Sequence, residues 1–158
     1  MLHNDVIIVI VPELPSGKPM PSAGLIDAVR GYLDIRRTVG TPIAVSGPQY
    51  VTVDIAATVV TISGADPSRV QQDIEAKLRL LLDPLLGGPN GYGWPFARSV
   101  YRAEILRHIN EIVGVDYVSA LKLNGDALVD KIPVGGSNPT TLSLVATGAI
   151  QVTATPPS

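Results

Sequence analysis

Val51-Thr52-Val53-Asp54-Ile55-Ala56-Ala57-Thr58-Val59 alternates apolar and mostly polar residues. Val51, Val53, Ile55, Ala57 and Val59 fall on one face, and Thr52, Asp54, Ala56 and Thr58 on the other. A period of two with one greasy face is the pattern of a strand buried on one side, so this stretch predicts a long, half-exposed antiparallel strand. Just before it, Pro42 to Ser46 predicts a short strand and Gly47-Pro48 a turn.

Further toward the N-terminus, Val6-Ile7-Ile8-Val9-Ile10-Val11 is β-branched throughout and stops at Pro12. It predicts a strand apolar on both faces. Pro12 to Pro21 contains four prolines and reads as a loop. Ser22 is placed as an N-cap, followed by Leu25, Val29, Tyr32 and Leu33 at helical spacing, with Ala28 and Ile35 flanking; Gly40 is a natural stop near Val39.

On the C-terminal side, Asp66-Pro67 pairs a capping carboxylate with proline at the first helical position. Val70, Ile74, Leu78, Leu81 and Leu85 form the stripe of this second helix, which Pro84 ends; burying it contributes on the order of 10 kcal/mol before chain entropy is subtracted. A glycine-rich loop, Gly87 to Gly93, leads through Trp94-Pro95-Phe96 to a third helix predicted over Ser99 to Ile112, with Tyr101, Ile105, Ile109 and Ile112 on one face. Gly114 stops it. Val115 to Leu123 predicts a strand closed by the turn dipeptide Asn124-Gly125. The stretch from Asp126 to Ser158 predicts short strands among Gly, Pro and Thr, with Ile150, Val152 and Ala154 on one face of the last.

This order predicts an α+β fold: a ferredoxin-like split βαβ two-layer sandwich with an extra helix and a C-terminal β extension. Residues 1–125 are expected to form the α+β core domain and 126–158 a β-rich extension packed on it. The first strand is central in that topology and apolar on both faces. A single helical layer covers one face, so the other needs the C-terminal strands, a neighbouring domain or another subunit.

Composition points the same way. Of 158 residues, 46% are hydrophobic but only 16% charged, against roughly 25% charged in an ordinary globular chain. Either the surface is rich in Ser, Thr and Gly, or part of it is covered in the working state. The net charge of −2 and a pI near 5.6 argue against binding nucleic acid, which needs clustered Lys and Arg. The chain has no cysteine, so no disulfide, thiolate metal site or cysteine nucleophile is available. Val6 to Val11 is far too short to span a bilayer, and no membrane insertion is expected.

No catalytic constellation emerges. His3 is near the terminus, and His108 sits at the edge of the third helix's stripe, one turn from Glu104 and Glu111. A carboxylate–histidine pair can serve as general base or metal ligand, but there is no second histidine nearby to join it, and a boundary histidine in a helix-surface charge pattern explains it as well. The glycine loop follows a helix, whereas a Rossmann phosphate loop follows a strand and opens a helix. Asp27, Asp34, Asp54, Asp66, Asp73, Glu75, Asp83, Glu104, Glu111 and Asp116 are scattered, without the spacing that holds calcium or magnesium. The expectation is no catalytic residue, no metal and no cofactor.

One segment concentrates the large aromatics. Trp94, the sole tryptophan, and Phe96, the sole phenylalanine, flank Pro95 and are followed by Arg98 and Tyr101, with Gly91 and Gly93 just before. Such a cluster can plug the helix layer against the sheet. It can equally anchor an interface, because Trp, Tyr and Arg dominate binding hot spots. Gly91, Gly93, Trp94, Pro95, Phe96, Arg98 and Tyr101 are therefore the candidate interface or structural motif.

Gly87-Gly88-Pro89-Asn90-Gly91-Tyr92-Gly93-Trp94-Pro95-Phe96-Ala97-Arg98-Ser99-Val100-Tyr101-Arg102-Ala103-Glu104-Ile105 resembles the signature of the baseplate J-like proteins, the baseplate assembly proteins of contractile phage tails and phage-derived injection systems. Pro21 to Arg37, Val45 to Val51, Val113 to Val118 and Ala146 to Val152 are similar to the same C-terminal region. The family usually has glycine where Ala97 stands; if a positive φ is needed there, alanine is strained and the local turn is expected to differ. The resemblance implies a non-enzymatic structural component of the baseplate wedge, assembled in the cytoplasm into a phage tail or tail-like particle. Its implied partners are other wedge and hub proteins and further copies of itself in a ring. Family members are usually longer, so the exposed apolar surface is expected where the remainder would pack. The alternative is a small-ligand-binding regulatory ferredoxin-like domain with the Gly87–Gly93 loop over its site; a third reading is an enzyme using Glu104 and His108.

Overall fold

The computed structural model describes residues 6–135 and 142–157; His3 and part of the C-terminal stretch lie outside them. The element order is β1 (Val6–Val9), α1 (Ala23–Asp34), β2 (Ile43–Ser46), β3 (Gln49–Thr61), α2 (Pro67–Leu81), β4 (Val100–Tyr101), α3 (Arg102–Asn110), β5 (Val115–Leu123), β6 (Lys131–Ile132) and β7 (Ser143–Thr155). It is an α+β fold in two layers.

The alternating stretch becomes β3, which is central in a three-stranded sheet of order β5-β3-β7. Its Val53, Ile55, Ala57 and Val59 are buried with Val70, Ile74 and Leu78 of α2 and Ile105 and Ile109 of α3. Leu121 and Leu123 of β5 and Ile150 and Val152 of β7 extend the same core. Helix caps agree with the sequence: Ser22 Oγ accepts from Leu25 N at 3.2 Å, and Asp66 Oδ1 accepts from Ser68 N at 2.9 Å.

β3 pairs antiparallel with β5 but parallel with β7, from Gln49↔Ser143 to Val60↔Thr155. The C-terminal stretch thus supplies the short β6, as expected, and in β7 one long strand where only short ones were expected. The β3–β7 ladder shifts register between Val53 and Ile55. Asp54, at that shift, accepts from Ala149 N through Oδ1 at 2.7 Å, and its own N–H donates to Asn124 Oδ1 at 2.7 Å. A side chain on Gly148 would collide with Asp54 Oδ1, so this position admits no Cβ without rearrangement. Asn124-Gly125 forms the expected tight turn, with φ of 49° and 81° and reciprocal backbone bonds between Leu123 and Asp126.

β1 departs from expectation. It is not central in the main sheet; among the described residues it pairs only with β2, parallel, in a two-stranded sheet of its own. The reason lies in length and register: β7 satisfies the edge of β3 along almost its whole length, which a four-residue strand cannot do. β1 keeps its apolar faces but not their cover. Val6 is 43% exposed, and Ile7, Ile8 and Val9 are only half-buried.

Helix α1 also ends early, at Asp34 instead of near Val39. Arg36 and Arg37 donate their amides to Leu33 O at 2.9 Å, while Arg36 Nη1 takes Tyr32 O at 2.9 Å and its guanidinium lies 3.7 Å over the Tyr32 ring. The last turn's carbonyls are satisfied by these cations, as favoured at a helix C-terminus. No residue of α1 is buried.

Leu78 is wholly buried between α2 and the sheet. Leu78→Ala is expected to cost about 2–5 kcal/mol, read as a lowered midpoint in urea unfolding, whereas Leu80→Ala, on an exposed side chain, should change stability by about 0.5 kcal/mol or less.

Candidate interface at the Trp94 bend

α2 does not run directly into the bend. Asp83 Oδ1 accepts the amides of Leu85 and Leu86, each at 2.8 Å, and so terminates the helix. Within the glycine loop, Gly88 N donates to Leu81 O, Gly91 N to Gly88 O, Gly93 N to Gly87 O and Trp94 N to Pro84 O. Those amides are engaged with carbonyls of their own chain, so the loop is not a phosphate cradle, which needs its N–H groups free. Gly93 is required on two counts: its φ is +94°, and a Cβ would meet Pro84 O and Leu85 O at 2.9 Å. Gly91 also has positive φ but open space around it.

Trp94 enters the core, 3% exposed, and its indole Nε1 donates to Arg98 O at 2.8 Å. The Arg98 guanidinium lies 5.1 Å from the Trp94 ring and grips Glu104 in a two-pronged pair, Nη1–Oε2 at 3.0 Å and Nη2–Oε1 at 3.2 Å. Arg102 ties the start of α3 to β5 through Nη1 and Leu121 O at 2.9 Å. The seven motif residues therefore divide. Trp94 is the plug, Arg98 holds it to α3, and Gly93 permits the bend. Pro95, Phe96 and Tyr101 remain at the surface, Phe96 39% and Tyr101 46% exposed.

Ala97 adopts φ of 58° and donates its amide to Ser143 O at 2.8 Å. Alanine thus stands in the left-handed region, the strained conformation considered for this position. Its bond to the start of β7 offsets the cost of that conformation.

The third helix begins later than expected. Val100 and Tyr101 form β4, paired with Ile132 and Lys131 of β6, and Tyr101 becomes the N-cap. Glu104 is committed to Arg98, so it makes no pair with His108. His108 turns to Glu111 instead, Nδ1–Oε2 3.5 Å, and that nitrogen is buried without a hydrogen-bond partner among the described residues. Burial pushes the His108 imidazole below its ordinary value, with the Glu111 carboxylate opposing. Glu111 in turn bonds Lys77 at 2.9 Å, and this bond holds its carboxyl below the usual range.

Elsewhere, an open cleft of about 850 Å³ lies between Glu13–Gly17 and Asp83, Leu85 and Leu86. Its Asp83 carboxylate is already bonded to the chain. Nearby, Tyr50 fastens the proline-rich loop to β3 by donating its hydroxyl to Pro19 O at 2.8 Å; burial, then the Asp83 charge, push its phenol up. Among the described residues no group of three or more His, Asp or Glu is placed to hold a metal, and no helix is long and apolar enough to cross a membrane.

No protein-family model matches the chain, and no curated protein does. The solved structures do contain a counterpart. It is a baseplate chain. A chain in the cryo-EM structure of the anti-feeding prophage (AFP) baseplate, 6-fold symmetrised, superposes with a TM-score of 0.63 at 14% sequence identity, over 90% of the present chain. The present chain spans 30% of that AFP chain's length. At this identity the likeness is one of fold.

Ala97→Gly is expected to raise stability by about 0.5–1 kcal/mol, since glycine carries little penalty at positive φ; denaturant titration checks it. His108 supplies a pH dependence. Its folded-state pKa lies below the unfolded value of 6.5, so the unfolded chain takes up the proton first and stability is lost as pH falls through 6.5. Glu111, also lowered, acts in a separate window, below its ordinary value of 4.5. The urea midpoint should drop between about pH 7 and pH 5.5, and His108→Gln should flatten that drop alone.

Proposed function

We propose that the chain is a structural component of the baseplate wedge of a contractile phage tail or tail-like injection particle, acting by packing against other subunits and not by catalysis. The observation that carries this reading is the fold shared with an AFP baseplate chain over 90% of the present chain. The Trp94-Pro95-Phe96 signature supports it independently, because it resembles the baseplate J-like proteins at sequence level.

The surface has the character such a role needs. Val39, Tyr92, Val113 and Leu128 are each about nine-tenths exposed or more, and Phe96 and Tyr101 stand out from the bend. Large apolar side chains in water are a cost that burial against a partner removes. A buried tryptophan, an arginine clamp and a strained alanine fix the bend, so Phe96 and Tyr101 are presented without ordering cost at the contact. Neighbouring wedge and hub proteins, and further copies of the chain around the ring, are the partners of this reading. Assembly takes place in the cytoplasm before the particle is released.

The decisive experiment is co-expression with the wedge, tube and sheath proteins of a contractile tail-like particle, followed by isolation of particles. Wild-type chain is expected in the particle. A Phe96→Ala/Tyr101→Ala variant should keep its stability within about 1 kcal/mol yet lose about tenfold in incorporation, equivalent to about 1.4 kcal/mol of contact. A wild-type chain that never enters such particles overturns the reading.

A further inference from the structure

Beside the apolar surface of the bend lies an open cleft of about 490 Å³ whose walls include Pro89, Asn90, Arg98, Tyr101, Glu104 and Arg107. Its charge differs from that of the other clefts. The one between Glu13 and Asp83 has two carboxylates and no cation. Another, of about 610 Å³ beside Ile62 and Val113, sets Asp66 and Asp73 against Arg69. At the bend the balance is reversed: two arginines meet one carboxylate. The stretch from Pro89 to Arg107 holds three arginines and one glutamate, in a chain of net charge −2.

That one carboxylate is already engaged. Both Glu104 oxygens accept from Arg98, at 3.0 and 3.2 Å. A guanidinium carries five N–H groups, and Arg98 gives two of them to Glu104, while its side chain stays partly exposed. The pair and the Trp94 ring, 5.1 Å away, hold that guanidinium in place. Arg107 is exposed and loosely held, its Nε 3.7 Å from Glu111 Oε1 and its Nη2 3.4 Å from His108 Nε2. Glu111 has its shorter bond to Lys77, at 2.9 Å. The Tyr101 hydroxyl and the Asn90 amide add neutral donors to the same cleft. Donors are in excess, and the charged acceptor among them is taken.

We infer that this cleft receives an Asp or Glu side chain of a partner protein, with an apolar neighbour of that residue lying on the Tyr101 ring. Charge complementarity selects the occupant. A carboxylate accepts from two arginines at once, which suits the spare N–H groups of Arg98 and Arg107. A nucleic acid needs a longer run of cations, and the chain's overall negative charge repels it. The apolar neighbour follows from Tyr101, which lines the cleft with its side chain 46% exposed. The inference rests on the baseplate reading for there being a neighbour at the bend, and it adds what that neighbour's surface carries. Phe96 and Tyr101 supply apolar area, whereas the arginines fix orientation and reject a basic partner. Because Arg98 is held by Glu104 before any contact forms, little ordering is left to do on binding.

The test begins with the purified chain and a terminally blocked peptide of alternating leucine and glutamate at millimolar concentration. The readout is the indole Nε1–H NMR resonance of Trp94, the sole tryptophan, which bonds Arg98 O. A saturable shift is expected. The glutamine counterpart of the peptide, and the Arg107→Glu variant with the original peptide, should each bind at least about tenfold more weakly. Arg107→Gln, which removes the charge without reversing it, should fall between. Inorganic phosphate and a short oligonucleotide should both bind more weakly than the acidic peptide. No saturable shift, equal affinity for the glutamine peptide, or tighter binding of phosphate or oligonucleotide overturns the inference. So does wild-type affinity in both Arg107 variants. A dimer of the chain itself that Arg107→Glu abolishes also overturns it, since a second copy then fills the cleft. In particles, Arg107→Glu should lose about tenfold in incorporation, while Arg69→Glu, on an exposed side chain of α2, stays within about twofold of wild type. Equal incorporation of Arg107→Glu sinks the carboxylate contact and leaves the baseplate role standing. A wild-type chain that never enters particles sinks the baseplate role, and the peptide titration still decides the cleft.

Discussion

Everything in this molecule hangs on β3 being hydrogen-bonded along both edges while burying one face. A strand in that position has no exposed backbone to satisfy, so its alternation can be used wholly for packing. Val53, Ile55, Ala57 and Val59 present a continuous apolar surface, and α2 and α3 lie on it. The long parallel pairing with β7 brings Ile150 and Val152 to the same face. Remove that ladder and α2 loses the β7 side chains Ile150 and Val152 from the core it shares with the sheet.

The sheet also decides where the Trp94 bend can be. Ala97 bonds Ser143 at the start of β7, so the bend is pinned to the strand as well as to α3 through Arg98 and Glu104. This double attachment explains why one segment contains a plug and a presented surface side by side. Trp94 secures the backbone from beneath. Phe96 and Tyr101 are then held outward by a scaffold too rigid to fold them away.

The β1–α1–β2 unit stands in contrast. Its helix has no buried residue, its strands have one buried apolar side chain, Val45, and its attachment to the rest includes the Tyr50–Pro19 bond. A protein with only 16% charged residues keeps its apolar excess here and around the bend. A low charge content and incomplete burial are two aspects of one property: apolar side chains that this chain's own core does not cover.

Local elements were legible because they depend on neighbours in sequence. The stripe Val70, Ile74, Leu78, Leu81 and the cap Asp66 specify α2 with no help from the rest of the chain, and Asn124-Gly125 specifies its turn through two residues that tolerate positive φ. The Trp94 cluster was visible by composition alone, though its division into buried and exposed members was not, since that depends on which way a bend points. Likewise the β-branched run of β1 announces a strand but not a neighbour. The parallel match of Gln49–Val60 with Ser143–Thr155 spans some ninety residues of intervening chain. Pattern reveals which face of a strand is greasy; which strand lies beside it is settled by competition among all edges at once, and only the tertiary structure decides that competition.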